Sequence, residues 1–200
     1  MNLNKLVSGS ILEIELPQNI GFAYCIYILA NDDDLIIIPL KHFSENRIKK
    51  IDFQVVDNEL TAPILTFKPT IRGFYKWPII GFEDPNKFKF EDAIFKRCLQ
   101  YKPEYFGRET ELRWFQISNY DLKYDTVLDI SKNNHLEEFT IYSYRHIQIR
   151  LLYELNEFYH FDINFEELFG EIAAKVSYEK FKVRPRYKDI PKKYWGRLIL

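Results

Sequence analysis

The stretch Ile11-Leu-Glu-Ile-Glu-Leu16 decides the fold class, because apolar and acidic residues alternate from Leu12 onward. In an extended chain Leu12, Ile14 and Leu16 lie on one face, and Glu13 and Glu15 lie on the other. A period of two is typical of a half-buried antiparallel strand. The sequence therefore predicts a β-sheet near the start of the chain.

Two further strands follow within thirty residues and extend this sheet. The turn Pro17-Gln-Asn19 leads into Gly21–Ala30, which is apolar on both faces and so is predicted to be a central strand. The acidic turn Asn31-Asp-Asp-Asp34 then leads into Leu35–Leu40, which indicates a hairpin. Because proline cannot donate to a ladder, Pro39 is predicted to end this third strand or to place it at an edge.

The rest of the chain predicts more strands and then helices. Apolar runs bounded by turn residues predict strands, and a short helix is possible between two of them, across Glu91–Leu99. The predicted strands are Ala62–Lys68, Phe74–Phe82, Glu111–Ile117 and Glu138–Tyr142.

Two helices are predicted near the C-terminus. Ser143 is a plausible N-cap for a helix that runs to about Tyr159, with apolar residues spaced at three and four (Ile147, Leu151, Leu155, Phe158). Asn164 and Glu167 form a pair like a capping box before a second helix. Strands first and helices after predict an α+β fold: a twisted antiparallel sheet or small partly open barrel, with C-terminal helices packed on it.

Composition limits the classes of protein that this chain can belong to. Its 200 residues are 46% hydrophobic with a formal net charge of −1, which predicts a folded chain with no global field toward nucleic acid or anionic lipid. Residues 1–16 are not expected to act as a signal peptide, because they hold a single early lysine and break into polar residues at Ser8-Gly-Ser10, and the uncharged run Pro17–Asn31 is too short to span a bilayer. We therefore expect a soluble cytoplasmic protein with no membrane partner.

No catalytic or cofactor signature emerges from the motifs. The four histidines have no HxxxH or HExxH spacing, and the seven glycines have no phosphate-loop spacing. Cys25 lies in the most apolar strand, where burial makes a thiol inert. These patterns predict no metal, no cofactor and no enzymatic activity.

Two charged segments remain as candidate binding sites. Asp32, Asp33 and Asp34 form the densest acidic cluster, at the expected hairpin tip. Such a cluster is either a solvated turn or a patch that attracts a cationic protein partner.

The second candidate is the basic tail. It carries Arg184, Arg186, Lys192 and Lys193, interleaved with aromatic residues that include Trp195. Rings that stack on bases, beside cations that contact phosphates, are typical of single-stranded nucleic-acid binding. The alternative is that the aromatic residues pack the tail over the domain while its charges are solvated.

Several strand blocks together resemble a known family. The blocks Gly9-Ser-Ile-Leu-Glu-Ile-Glu-Leu16 and Gly21-Phe-Ala-Tyr-Cys-Ile-Tyr-Ile28 are followed about fifty residues later by Arg72-Gly-Phe-Tyr-Lys-Trp-Pro-Ile-Ile-Gly81. Ile141-Tyr-Ser-Tyr-Arg-His-Ile-Gln-Ile-Arg-Leu151 is similar to that family's strand-to-helix junction. In order and spacing, these blocks resemble the Immunity protein 26 family of bacterial polymorphic toxin systems.

The resemblance implies a non-enzymatic immunity protein that binds a cognate toxin and occludes its active site. It covers residues 8–155 as an immunity-like α+β domain. Residues 156–200, the C-terminal helix and basic aromatic tail, lie outside it and are expected to pack on the same domain. The shared positions, such as Gly21 and Trp77, are expected to determine the fold. The residues that contact the toxin are expected on surface loops.

Overall fold

A computed structural model of the chain describes residues 6–31, 34–67, 77–88, 93–101, 111–118, 126–137, 141–142, 144–170 and 185–199. The strands are β1 (Ser10–Glu15), β2 (Phe22–Asn31), β3 (Asp34–Ser44), β4 (Ile64–Phe67), β5 (Ile79–Phe82), β6 (Ile94–Tyr101), β7 (Glu111–Ser118), β8 (Thr126–Val127) and β9 (Ile141–Tyr142). The helices are α1 (Ile130–Asn133), α2 (Tyr144–Tyr159) and α3 (Phe165–Gly170).

The described strands form two sheets. The larger has the open order β5-β1-β2-β3-β4-β9, and the smaller has the order β6-β7-β8. All pairs are antiparallel except β4 and β9, which run parallel. The α+β prediction is therefore confirmed, with a larger sheet that does not close.

Helix α2 covers one face of the larger sheet. Ile147, Leu151 and Leu155 are fully buried in one cluster with residues of β1, β2 and β3, as their spacing predicted. Asn164 caps α3, because its Oδ1 accepts hydrogen bonds from the backbone N–H of Glu166 at 3.1 Å and of Glu167 at 3.3 Å. Phe158 departs from the prediction for α2, since it is 43% exposed.

The larger sheet is buried on both faces. Alternate residues of β1–β3 join two apolar clusters, so that Leu12 and Cys25 pack with α2 while Ile11 and Tyr24 pack with the C-terminal tail. We call these two sides the helix face and the tail face. The prediction that β1 is buried on one face only is therefore wrong, because Glu13, on the tail face, is only 2% exposed.

Pro39 does not end the third strand, because β3 continues past it to Ser44. The backbone N–H of Leu60 donates to the Pro39 carbonyl at 2.8 Å, on the side of β3 away from β2. Since the N and C=O of one residue point to the same side of a strand, the Pro39 nitrogen also faces away from β2. The β2–β3 ladder therefore loses no hydrogen bond at this proline.

The helix predicted across Glu91–Leu99 is wrong in its described part, which belongs to strand β6. Eight residues of β6 pair with β7 in regular register. On the other edge of β6, Ile94 N–H donates to Gly196 O and Lys96 N–H to Glu137 O, each at 2.8 Å. Long-range hydrogen bonds on both edges thus override a weak local helical pattern.

Other predictions fall partly outside the described residues. The strand predicted at Phe74–Phe82 is seen from Ile79 onward, and residues 74–76 lie outside the description. Ile141–Tyr142 is a strand as predicted, while residues 138–140 and the predicted cap Ser143 lie outside.

In the three strand blocks at 9–16, 21–28 and 72–81, which we call the family-like blocks, the described residues pack against neighbouring segments of the fold. Parts of all three strand blocks lie side by side in the order β5-β1-β2. Gly21 has a φ of +143°, and a Cβ there would lie 2.4 Å from the backbone oxygen of Ser44. A Cβ on Gly81 would lie 2.2 Å from the Ile51 side chain, and Trp77 is buried on the helix face. These positions fix the approach of neighbouring segments.

Candidate protein-binding site

The β2–β3 hairpin ends in a bulge at Lys41–Ser44. Ala23 pairs with Phe43, but the next residue of β2, Tyr24, pairs with Leu40, so β3 has two extra residues at this point. Because two residues are inserted here, the alternation of side chains is kept, while the bulge bends the strand. Phe43 consequently joins the helix face, whereas His42 contacts Tyr24 on the tail face.

Three aromatic rings meet at this end of the helix face. The ring centroid of Phe43 lies 4.8 Å from that of Phe161 and 5.2 Å from that of Tyr159. Tyr159 is 40% exposed, so the ring cluster opens to solvent. The rings line a groove of ≈ 520 Å³, which we call the aromatic groove. Its lining residues are Asn19, Ile20, Phe43, Glu45, Tyr159 and Phe161.

The backbone at the end of α2 holds the rings of the aromatic groove in place. Tyr159 Oη donates to the Lys41 carbonyl at 2.9 Å, which ties the helix to the bulge. His160 ends the helix in the left-handed region with φ 51°, and its N–H still bonds to Asn156 O at 3.1 Å. This reversal of direction at His160 lets Phe161 pack against Phe43.

The Pro17–Asn19 turn forms an exposed ridge beside the aromatic groove. Gln18 and Asn19 both have φ 56°, as a type I′ turn requires, and Ile20 N–H bonds to Pro17 O at 3.3 Å. A second groove of ≈ 540 Å³ lies on the other side of this turn, against Arg145 of α2. Glutamine rarely adopts the left-handed region, and such backbone strain is often found at functional sites.

A cluster of polar residues lies on the tail face behind the bulge. Glu13 accepts hydrogen bonds from Arg47 Nη1 and from the backbone N–H of Ile48, each at 3.2 Å. Burial raises the pKa of Glu13, although Ile48 and Arg47 oppose that shift. Arg47 Nη2 also donates to Glu15 at 3.0 Å, so the guanidinium spans two carboxylates.

Two more titratable groups belong to the same cluster. The hydroxyl groups of Tyr24 and Ser44 are hydrogen-bonded, and burial raises the pKa of Tyr24 to about 12. His42 stacks on Phe53 with 3.7 Å between ring centroids, and burial lowers the pKa of His42. Shifted pKa values are common at active sites, but here each group has a partner within the fold. We interpret the cluster as structural.

The described part of the chain brings together no group of three His, Cys, Asp or Glu side chains that could hold a metal ion. Cys25 is fully buried, as predicted, and burial raises the pKa of its thiol, which keeps it protonated. The aromatic groove has a single titratable carboxyl group, Glu45, among its lining residues.

The predicted acidic site lies at the far end of the hairpin from the aromatic groove. Asp32 and Asp33 lie outside the described residues. Asp34 lies in β3, where its backbone pairs with Asn31 on one side and Phe67 on the other. Along the ten residues of β2, the two ends of the hairpin are separated by roughly 30 Å.

Two predicted cations of the tail contact the rest of the domain. The Arg186 guanidinium lies over the Tyr153 ring, with Cζ 3.1 Å from its centroid, and Nη2 lies 3.2 Å from Glu157. Lys192 Nζ donates to Glu59 at 2.7 Å and to Asp57 at 3.2 Å.

Trp195 packs inside the fold. It is 6% exposed, and its Nε1 donates to Ile190 O at 2.9 Å. Lys193 is exposed, with Nζ 4.8 Å from the Tyr194 ring centroid, and Arg184 lies outside the described residues. Nucleic-acid binding by the tail stays a prediction, but Trp195 does not offer a stacking face in this conformation.

The residues of the aromatic groove were not identified from the sequence. They come from three segments that are distant along the chain, near Asn19, Phe43 and Tyr159. One local signal was available: Tyr159 and Phe161 directly follow Phe158, the last residue of the predicted apolar stripe, and so lie outside that stripe.

No protein-family model, no curated protein and no solved structure matches the chain. Among the helices that the structure describes, none is both long enough and apolar enough to cross a membrane.

Proposed function

We propose that this chain is a cytoplasmic, non-enzymatic immunity protein, which binds a cognate bacterial toxin and occludes the toxin's active site. The observation that carries the proposal is the aromatic groove, where Phe43, Tyr159 and Phe161 meet at the surface beside Glu45. Aromatic side chains are enriched at the centres of protein interfaces, where they supply a large part of the binding energy.

The shape of this surface also supports protein binding. The exposed ridge at Gln18 and Asn19 lies between two grooves, of ≈ 520 Å³ and ≈ 540 Å³. A standard interface buries roughly 800 Å² on each side, so a toxin would cover the ridge, both grooves and the surface around them. To occlude the toxin's active site, the immunity protein needs a surface that fits the toxin, and it needs no catalytic group of its own.

The position of the groove relative to the family-like blocks agrees with this role. Gly21, Gly81, Trp77 and Tyr24 serve packing, whereas the groove is built from a turn, a bulge and the end of a helix. Binding residues are commonly found on such connecting segments, held in position by a rigid scaffold.

The experiment that tests the proposal is rescue of growth. The toxin encoded beside this chain is expressed in bacteria with and without it, and we expect growth to be restored only when both are present. The pair should also purify as a stoichiometric complex. The proposal fails if the neighbouring open reading frames encode no toxin and co-expression with candidate toxins gives no rescue.

A further inference from the structure

Two arginines of the described residues, Arg186 and Arg47, are held by the same arrangement, an aromatic face beside a carboxylate. Arg186 lies over the Tyr153 ring and pairs with Glu157. Arg47 lies over the Phe22 ring at 4.9 Å and pairs with Glu13 and Glu15, at 3.2 Å and 3.0 Å. A guanidinium suits both neighbours, because it is planar enough to stack and carries donors for a carboxylate.

The aromatic groove repeats this arrangement without an arginine of its own. Its rings and the exposed Glu45 line the same groove, and no lysine or arginine is among its lining residues within the described ranges. Lys41 is nearby, but its Nζ lies over the ring of Phe158, 5.2 Å from the centroid. The groove therefore presents the components of a guanidinium site to solvent.

We propose that the aromatic groove receives an arginine side chain from the partner protein, with the guanidinium over the rings and hydrogen-bonded to Glu45. That the partner is a toxin rests on the proposed function, but the choice of arginine rests on the groove itself. Rings attract cations through their faces, and a carboxylate adds a charge-assisted hydrogen bond. A lysine would offer a more strongly hydrated point charge and no planar surface for stacking.

A small probe tests the groove without the partner. We would titrate the isotope-labelled full chain with N-acetyl-arginine amide and follow its backbone amide signals by NMR. Saturable shifts are expected at Phe43, Glu45 and Phe161. The citrulline analogue, which keeps the shape and loses the charge, should give no saturable shifts, and the lysine analogue should bind more weakly than arginine.

Matched variants distinguish the effect of the Glu45 charge on arginine binding from an effect on the stability of the fold. Glu45→Gln should weaken arginine binding about fivefold, the upper range for an exposed ion pair. Asp189→Asn also removes one exposed carboxylate, from the tail, and should leave binding unchanged. Phe161→Leu removes a ring and should therefore weaken arginine binding. Because leucine keeps most of the apolar volume, the thermal unfolding curve should stay close to that of the parent protein. Equal shifts with citrulline, or equal affinity in Glu45→Gln, would overturn the inference.

The partner experiment distinguishes this inference from the proposed function. If the parent chain and Glu45→Gln bind the purified toxin with equal affinity, the arginine inference fails and the immunity function stands. If arginine binds the groove as described but the chain neither binds nor rescues from any toxin, the immunity function fails. A toxin that loses affinity for Glu45→Gln, and not for Asp189→Asn, supports both.

Discussion

The helix face and the tail face of the larger sheet differ in how their side chains find partners. On the tail side, the buried carboxylates Glu13 and Glu59 are paired with Arg47 and Lys192. The helix face is apolar, and its cluster continues outward into the rings of the aromatic groove. Arg186, Lys192 and Trp195 of the tail are thus engaged in holding the fold together, whereas the rings at the edge of the helix face are partly exposed to solvent.

A buried cluster of charges joins the two sides. Arg150 is almost fully buried, and its Nη2 lies 2.9 Å from Glu137 and 3.2 Å from Glu154. Tyr187 of the tail donates its hydroxyl to the same Glu137 carboxylate at 2.9 Å. Removing one member of such a cluster leaves a buried charge without compensation, so the tail and α2 are expected to depend on each other for stability.

The largest expected effect is that of truncating the tail's tryptophan. Trp195→Ala should lower the free energy of unfolding by about 3–5 kcal/mol, because it leaves a cavity beside Tyr187. Phe158→Ala, at the exposed end of α2, should cost less than about 1 kcal/mol. Urea denaturation of both variants measures the difference. Equal losses would mean that the exposed rings of α2 belong to the core, which would remove the contrast between the two faces.

A smaller effect is expected from removing a single cation of the tail. Lys192→Ala leaves the carboxylate of Glu59 buried without its partner, and should cost about 1–3 kcal/mol. Lys193→Ala changes the adjacent exposed lysine, and should stay within about 0.5 kcal/mol of the parent. If the two variants unfold at the same denaturant concentration, the ion pair between Lys192 and the buried Glu59 does not contribute to stability.

The smallest expected effect is a pH dependence from His42 on the tail face. Burial lowers its pKa below 6.5, so the unfolded chain binds this proton more readily than the folded chain. Stability should therefore be complete above pH 6.5 and should fall as the pH drops through the window from 6.5 toward the lowered folded value. His42→Gln should flatten that part of the curve, measured by denaturation at several pH values. An unchanged slope in the variant would show that His42 is not the source.

Local periodicity predicted much of the fold. The alternation in Ile11–Leu16, the apolar run of β2 and the cap at Asn164 each specify structure within a few residues, and each prediction held at that level. Pro39 and the Glu91–Leu99 segment were mispredicted because their hydrogen bonds come from residues far along the chain. The burial of Glu13 likewise depends on a tail face that no local pattern reveals.

The candidate site was much less predictable than the fold. The aromatic groove needs the bulge at Lys41–Ser44 and the reversal at His160, and both follow from strand register and helix termination in the folded chain. Charge runs, by contrast, are easy to see in a sequence. Two of the cations that suggested nucleic-acid binding, Arg186 and Lys192, contact carboxylates of the domain itself.

The central claim is that this chain silences a toxin by binding it. The most direct measurement is the activity of the purified toxin from the adjacent gene, titrated with the purified chain. Activity should fall linearly and reach its floor at an equimolar ratio, since occlusion by a tight partner is stoichiometric. Full toxin activity in an excess of folded chain would contradict the proposed function.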